Sequence, residues 1–409
     1  MILGCIADDF TGATDLAGLL RRSGASVQLH FGLPDGPSDG HADIEIVALK
    51  CRTEPVATAV ADCTAAGRWL LAGGAQQLYW KYCSTFDSTA TGNIGPVSEA
   101  LMALSGKTQA IYCPAFPENG RSVYMGHLFV GQQLLSESSL KDHPLTPMTD
   151  SNLVRVLTPQ VAGRVALFSR ADQRSQSALP DAEHIIADAV EFDDLEQIVA
   201  SLPDHVMLTG GSALAMPLPA RLGLANHQPE ADPQVPGRSL VLSGSCSEMT
   251  RRQVAHWSAD RPSYQIKPGQ LGAADIDACV AWLDQLPAEQ TALIYATDDP
   301  AAVRAAQSSM GVAEAGSQVE SALSQIAQAA YARGVRRFVV AGGETSGAVA
   351  QALGVRQVRC GPEICPGVPW TFAGSASDPL ALALKSGNFG AVSFFDDALK
   401  QLELADGPA

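Results

Sequence analysis

Apolar positions along the chain fall into short runs that alternate with helical stretches. Residues 2–7 form an apolar run that stops at Asp8-Asp9-Phe10-Thr11-Gly12-Ala13, and apolar side chains then recur at helical spacing over 14–22 up to Gly24. That pattern predicts strand, turn, helix. It repeats: Ser26–His30, Glu45–Leu49, Gln77–Lys81 and Gln109–Cys113 read as strands, separated by Ala-rich helical stretches such as Pro55–Leu71 and Pro96–Leu104. Val165–Ser169, a helix over Leu195–Ser201 and a strand at His205–Thr209 continue the series up to Gly210-Gly211. Alternating strands and helices predict an open, mostly parallel α/β sheet.

The pattern breaks at residues 227–238, which hold three prolines and no periodic apolar face, so neither a helix nor a central strand can run through them. Beyond this break Ser239–Leu242 reads as a strand running into Ser243-Gly244-Ser245-Cys246-Ser247. Further strands are predicted at Ala292–Ala296 and Arg337–Ala341, and helices over Gln318–Arg333 and Ala348–Leu353. The expectation is two domains, 1–226 and 239–409, joined by a Pro-rich linker at 227–238. Each is an open, mostly parallel sheet flanked by helices. No fixed-period repeat suggests a solenoid.

Composition narrows the function classes. Of 409 residues, 46% are apolar and 17% charged, which suits a globular chain with a sizeable core. The net charge of −16 opposes nucleic acid and anionic membranes, so neither is expected as a partner. It also opposes an anionic substrate, so a site for one must gather positive charge or helix N-termini locally. Nine cysteines without CxxC spacing, several inside apolar runs, fit reduced thiols. With no leader pattern and no run of membrane-spanning length, the predicted location is the cytoplasm. The oligomeric state stays open, a homodimer included.

Candidate chemistry sits where strands end. Asp8 and Asp9 follow the first strand at the mouth of a helix, where they can accept a proton from a substrate hydroxyl or hold Mg²⁺ through oxygen ligands. A plain N-cap explains one of them, not both. In Lys81 to Gly95 a strand breaks into hydroxyls around one Lys and one Asp, a composition suited to a polyol carboxylate. Asp87 joins Asp8 and Asp9 as a catalytic candidate, and Ser88 joins Lys81 as a binding candidate. Arg52 and Arg121 also follow strands, and either can clamp a carboxylate with its fork of donors.

In the second half, Gly342-Gly343-Glu344-Thr345-Ser346-Gly347 stands between a strand and a helix. Ser243 to Ser247 follows another strand, and Lys385-Ser386-Gly387 opens a third glycine-rich turn with a cation. Three such turns predict a nucleotide site, with Ser243, Ser245, Ser247, Gly342, Gly343, Glu344, Thr345, Lys385 and Gly387 as its candidates. Other templates fail. Ser105-Gly106-Lys107-Thr108 resembles the end of a Walker A loop, but Leu101 holds the place of its first glycine, and no GxGxxG, GxSxG or HExxH is present.

Taken jointly, Ala7 to Ala13, Lys81 to Gly95, Ala341 to Gly347 and Lys385 to Gly390 resemble the four-carbon acid sugar kinase family, over nearly the whole chain. The resemblance implies an acid-sugar-binding first domain, an ATP-binding second domain, an active site in the cleft between them, and transfer of the γ-phosphoryl group of ATP to the substrate's O4. Asp8 and Asp9 would serve the acceptor hydroxyl or the metal. Arg52, Lys81 and Asp87-Ser88 would bind the acid, and the three glycine turns would bind ATP. Tyr82-Cys83 and the segment Asp142 to Asp150 look most like 3-oxo-tetronate kinases, ahead of threonate and erythronate kinases. A sugar-acid or nucleotide sensor without chemistry is the non-enzyme alternative, although a sensor needs neither paired carboxylates nor a phosphate cradle.

Overall fold

The computed structural model describes residues 1–38, 40, 42–142, 146–224, 232–267, 271–298, 311–375 and 377–405. The linker expected at 227–238 and the segment Asp142 to Asp150 therefore lie in part outside the described residues. The chain forms two compact units, Met1–Pro229 and Glu230–Ala409.

In the first unit, β1 (Leu3–Ala7), β2 (Val27–Phe31), β3 (Ile44–Ala48), β4 (Gln77–Lys81), β5 (Gln109–Cys113), β9 (Val165–Phe168), β10 (His184–Ala187) and β11 (Val206–Gly210) make one sheet. Its order is β2-β3-β1-β4-β11-β5-β10-β9, and its pairings are parallel. β1, β3 and β11 are buried along their whole length, which is why they read as continuous apolar runs rather than alternating ones. Helices α1 (Phe10–Arg21), α2 (Val56–Ala72) and α3 (Ile94–Ser105) supply the crossovers.

The chain leaves β1 toward β2 on one side and passes from β3 to β4 on the other, so the winding direction reverses at β1. Ligand crevices of open α/β sheets lie outside the carboxyl ends of the strands at such a reversal. A small antiparallel meander, β6 (Arg121–Tyr124), β7 (His127–Val130) and β8 (Gln133–Leu134), was not foreseen, because strands this short carry no legible period.

In the second unit β12 (Arg238–Ser243), β13 (Ser263–Gln265), β14 (Ala292–Tyr295), β15 (Val335–Ala341), β16 (Gln357–Cys365), β17 (Val368–Ser375) and β18 (Asp378–Lys385) follow the order β13-β14-β12-β15-β18-β17-β16. β13 through β18 in that row are parallel, and β17 is antiparallel to both its neighbours. The sequence reading saw the parallel part and missed the antiparallel hairpin. Trp257, Trp370, Phe372, Phe394 and Phe395 join one cluster of this unit's core.

Helix limits shift in one place that bears on chemistry. The helix expected over Ala348–Leu353 begins at Gly343 and ends at Ala352, so most of the expected glycine turn is its first two turns. Gly342 alone makes the bend, at φ 126, a conformation that suits glycine. Lys385 is likewise the last residue of β18 rather than part of the turn that follows it. Among the described residues no helix is long and apolar enough to cross a membrane.

Candidate functional site

Asp8 and Asp9 leave the carboxyl end of β1, Arg52 lies in the loop after β3, and Lys81 ends β4. These are the three strands at the reversal, and the backbone fixes them to each other. The amides of Cys51 and Arg52 donate to Asp8 O at 3.1 and 3.3 Å, and the Asp8 amide donates to Lys81 O at 3.1 Å. Arg52 meets Asp8 with its fork, Nε to Oδ2 at 2.7 Å and Nη2 to Oδ1 at 2.9 Å, and reaches Asp9 Oδ1 at 2.8 Å. Lys81 Nζ donates to Asp9 Oδ1 at 3.3 Å and stands 3.7 Å from Asp8 Oδ1.

Asp9 is the helix N-cap, accepting from Gly12 N at 3.1 Å and from Thr11 Oγ1 at 2.9 Å. Asp9 thus serves both the cap and the cations, accepting from Arg52 and Lys81 as well, whereas Asp8 faces the cations alone. Burial pushes the Asp8 carboxyl up against the opposing pull of Arg52 and Lys81. At Asp9 burial is outweighed by Arg52, Lys81 and the Thr11 hydroxyl, which hold its carboxyl well below the usual range. Lys81 is raised in turn, its burial outweighed by Asp9 and Asp8. Two adjacent carboxylates thus differ in proton affinity because Asp9 alone accepts from the Thr11 hydroxyl and Lys81, and its charge in turn pushes Asp8 up.

The Lys81 loop joins this cluster. Thr85 Oγ1 donates to Asp87 Oδ1 at 2.6 Å, and Asp87 Oδ2 stands 3.8 Å from Arg52 Nη1. Phe86, fully buried with φ at 53, turns the backbone between them. Ser88 is buried and its Oγ has no partner among the described residues. Arg121 opens the meander, where it donates to Asn119 O, and its Nε is buried with no partner among the described residues.

Sequence reasoning missed two supports of the cluster. A Cβ on Gly12 would stand 1.7 Å from Lys81 Nζ, so only glycine leaves room for the lysine head. Asn93 Nδ2 donates to the carbonyls of Cys51, Arg52 and Glu54 at 2.6, 3.2 and 3.1 Å, stapling the arginine loop. Gly12 belongs to the quoted motif, whereas nothing local marks Asn93.

In the second unit the three glycine turns leave β12, β15 and β18, neighbours in the sheet. The amides of Gly244 and Ser245 donate to Ala341 O, and the Gly342 amide donates to Lys385 O at 2.9 Å. A Cβ at Gly244 would stand 2.2 Å from Thr345 Oγ1, and one at Gly387 would stand 2.6 Å from Ser245 Oγ. Ser247 caps the helix Glu248–Ser258 through Thr250 N at 3.3 Å. Ser243, fully buried, bonds Thr297 Oγ1 at 2.7 Å.

Lys385 is fully buried and donates to Thr250 Oγ1 and Gly387 O, each at 3.0 Å. Burial pushes its amine down to about 7, and the Cys365 thiol is the one ionisable group opposing that shift. Small residues, first-turn helix amides and a lysine that meets no carboxylate among the described residues can receive phosphate oxygens. Thr250, Thr297 and Gln253, which holds the carbonyls of Phe389 and Ala391 at 3.0 and 2.8 Å, were not foreseen.

A metal held by Asp8 or Asp9, open from the sequence, does not fit. Both carboxylates are already neutralised by Arg52 and Lys81, beside which a dication would be repelled. Among the described residues no group of three or more His, Cys, Asp or Glu could hold a metal ion.

Comparison with known proteins gives the same division of labour. Residues 3–218 match a sugar-binding N-terminal domain and residues 240–395 a nucleotide-binding C-terminal domain. The 3-oxo-tetronate kinase of Cupriavidus necator is 50% identical, over 98% of this chain and 97% of its own. That of Burkholderia multivorans is 49% identical with the same coverage. A solved Salmonella typhimurium LT2 protein superposes with a TM-score of 0.86 at 39% identity, covering 98% of this chain and 99% of its own. A Haemophilus influenzae protein reaches 0.78 at 38%, covering 98% and 100%. With both domain types matched in order and kinship running end to end, the chain belongs to the four-carbon acid sugar kinase family.

Proposed function

We propose that this chain is an ATP-dependent kinase that phosphorylates the O4 hydroxyl of 3-oxo-tetronate in the cytoplasm. The observation that carries the reading is the Asp8-Arg52-Asp9-Lys81 cluster, with Asp8 and Lys81 buried, at the strand reversal of a sugar-binding domain, in a chain half identical to 3-oxo-tetronate kinases. Arg52 and Lys81 bind the acid's carboxylate, their charge held in place by Asp9. Asp8, whose proton affinity is raised, accepts the proton of the attacking hydroxyl. Asp87 and Ser88 orient the acid, and Arg121 adds positive charge at the rim.

ATP is held by Ser243, Ser245, Ser247, the first turn from Gly342 to Thr345, Lys385 and Gly387. Mg²⁺, when carried by the ATP phosphates, would supply neutralisation of the charge that develops during transfer. The test is ADP formation with a panel of 3-oxo-tetronate, threonate and erythronate of both hands. Turnover of the 3-oxo acid is expected. Turnover of a threonate or erythronate alone would move the substrate, and silence across the panel would overturn the kinase.

A further inference from the structure

Buried hydroxyls in this protein are almost all paired, and the exceptions are informative. Thr209, on β11, is a paired case, within 3.1 Å of Tyr82 Oη and donating to Ile111 O at 3.0 Å. Three residues on, Ser212 is 1% exposed and its Oγ has no partner. Among the described residues the buried hydroxyls left this way are Ser88 and Ser212. An unpaired buried hydroxyl costs stability that alanine, almost the same size, would not. A hydroxyl left this way is available to a water or a ligand.

Position supplies the use. β11 lies between β4 and β5, with Gly210 in register with Lys81 on one side and Cys113 on the other. The Tyr82 amide donates to Gly210 O at 3.0 Å and the Gly211 amide to Cys113 O at 3.2 Å, so the strand end is fixed beside the lysine's strand. Tyr79 Oη donates to Gly211 O at 2.5 Å. A Cβ at Gly211 would stand 2.9 Å from Pro114 O and 3.6 Å from Ser84 Cβ, so Gly211 packs directly under the Lys81 loop. The turn Ser212–Ala215 packs on α1, the helix that Asp9 caps. Ser212 thus stands at a strand carboxyl end between Lys81's strand and Asp9's helix.

We infer that Ser212 is a further specificity residue of the acid site, hydrogen-bonding an uncharged oxygen of the ligand. The role rests on the reading that the first unit binds the acid. A serine hydroxyl moves among three staggered positions and serves as donor or acceptor, so it can turn to a hydroxyl or an oxo oxygen when the acid is bound. The cations recognise the carboxylate of any acid. Ser212 distinguishes acids by the oxygen on their carbon chain.

The experiment compares wild type with Ser212→Ala and Ser212→Cys by calorimetric binding of 3-oxo-tetronate, steady-state kinetics and melting temperature. Ser212→Ala is expected to weaken the acid roughly 3- to 10-fold, the loss of one hydrogen bond, and to leave the KM for ATP unchanged. Its Tm should equal or exceed that of wild type, because an unpaired hydroxyl has gone. For a 4-hydroxy acid lacking the contacted oxygen, wild type and Ser212→Ala should bind alike. Unchanged affinity for 3-oxo-tetronate in both variants would overturn the role, as would a fall in Tm that accompanies equal losses toward acid and ATP. If wild type binds the acid without turning it over, the kinase reading fails while the binding comparison still decides Ser212. If wild type binds no acid, both fail.

Discussion

The two units open with the same winding and arrange charge after their first strands in opposite ways. The first runs β2-β3-β1-β4 and the second β13-β14-β12-β15, so each places the loop after its first strand at the reversal of the sheet. In the first unit that loop carries Asp8 and Asp9, locked against Arg52 and Lys81 before any ligand arrives. In the second it carries Ser243 to Ser247, faced by glycines and by Lys385, which meets a hydroxyl and a carbonyl. Topology chooses where a ligand sits, and the residues after the strand choose how its charge is met. A compensated cluster keeps its cations charged at any ordinary pH, whereas a buried lysine without a carboxylate titrates.

The sharpest way to break the comparison is to remove one carboxylate from the compensated side. Asp8→Asn should lower kcat by roughly 10²- to 10⁴-fold, the usual worth of a positioned base. ATP affinity, measured by calorimetry, should not change. Asp9→Asn should instead raise the acid KM, because Lys81 and Arg52 lose the anion that orients them. Equal kinetic losses in the two variants would dissolve the division of roles.

A smaller effect separates the two glycine sets. Gly12→Ala puts a methyl 1.7 Å from Lys81 Nζ and 2.3 Å from Asp9 Oδ1, so the lysine head and the capping carboxylate must both shift. The acid KM should rise about 10-fold, the scale of one charged hydrogen bond, with the ATP KM unchanged. Gly387→Ala meets the hydroxyls of Ser245 and Ser247 and should do the reverse. Both are read from one set of initial rates with each substrate varied.

The smallest effect is in pH. The Lys385 amine is lowered by burial from its ordinary 10.5 to about 7. Between those values the unfolded chain holds a proton that the folded chain does not, so stability should rise with pH across that window and be lowest below pH 7. Nucleotide favours the protonated amine, so ATP affinity should fall a few-fold from pH 6.5 to 8.5, with proton uptake on binding. Lys385→Met should flatten both dependences, raise Tm at pH 6.5 and weaken ATP. A pH-independent ATP affinity in wild type would remove this lysine from the phosphate site.

Much of the architecture was legible because parallel strands buried on both faces must be continuous apolar runs. Gln77–Lys81 and Gln109–Cys113 were read to the residue. Asp8, Asp9, Lys81 and the glycine turns were legible because they interrupt such runs at strand ends, where polar side chains can meet one another instead of the apolar core. The meander Arg121–Leu134 and the β16–β17–β18 hairpins were not, since short or antiparallel strands here lack a clear alternation.

By itself the sequence determined the alternation of strands and helices, the family and the strand-end motifs, because these depend on local order and on which residues an apolar run tolerates. Only the tertiary structure decided that Arg52, from 44 positions away, neutralises Asp8, that Asp9 also caps a helix, and that among the described residues Lys385 meets no acid and Ser212 finds no partner. Each of those depends on what strand order brings beside a side chain, and distance along the chain carries no information about distance across a sheet.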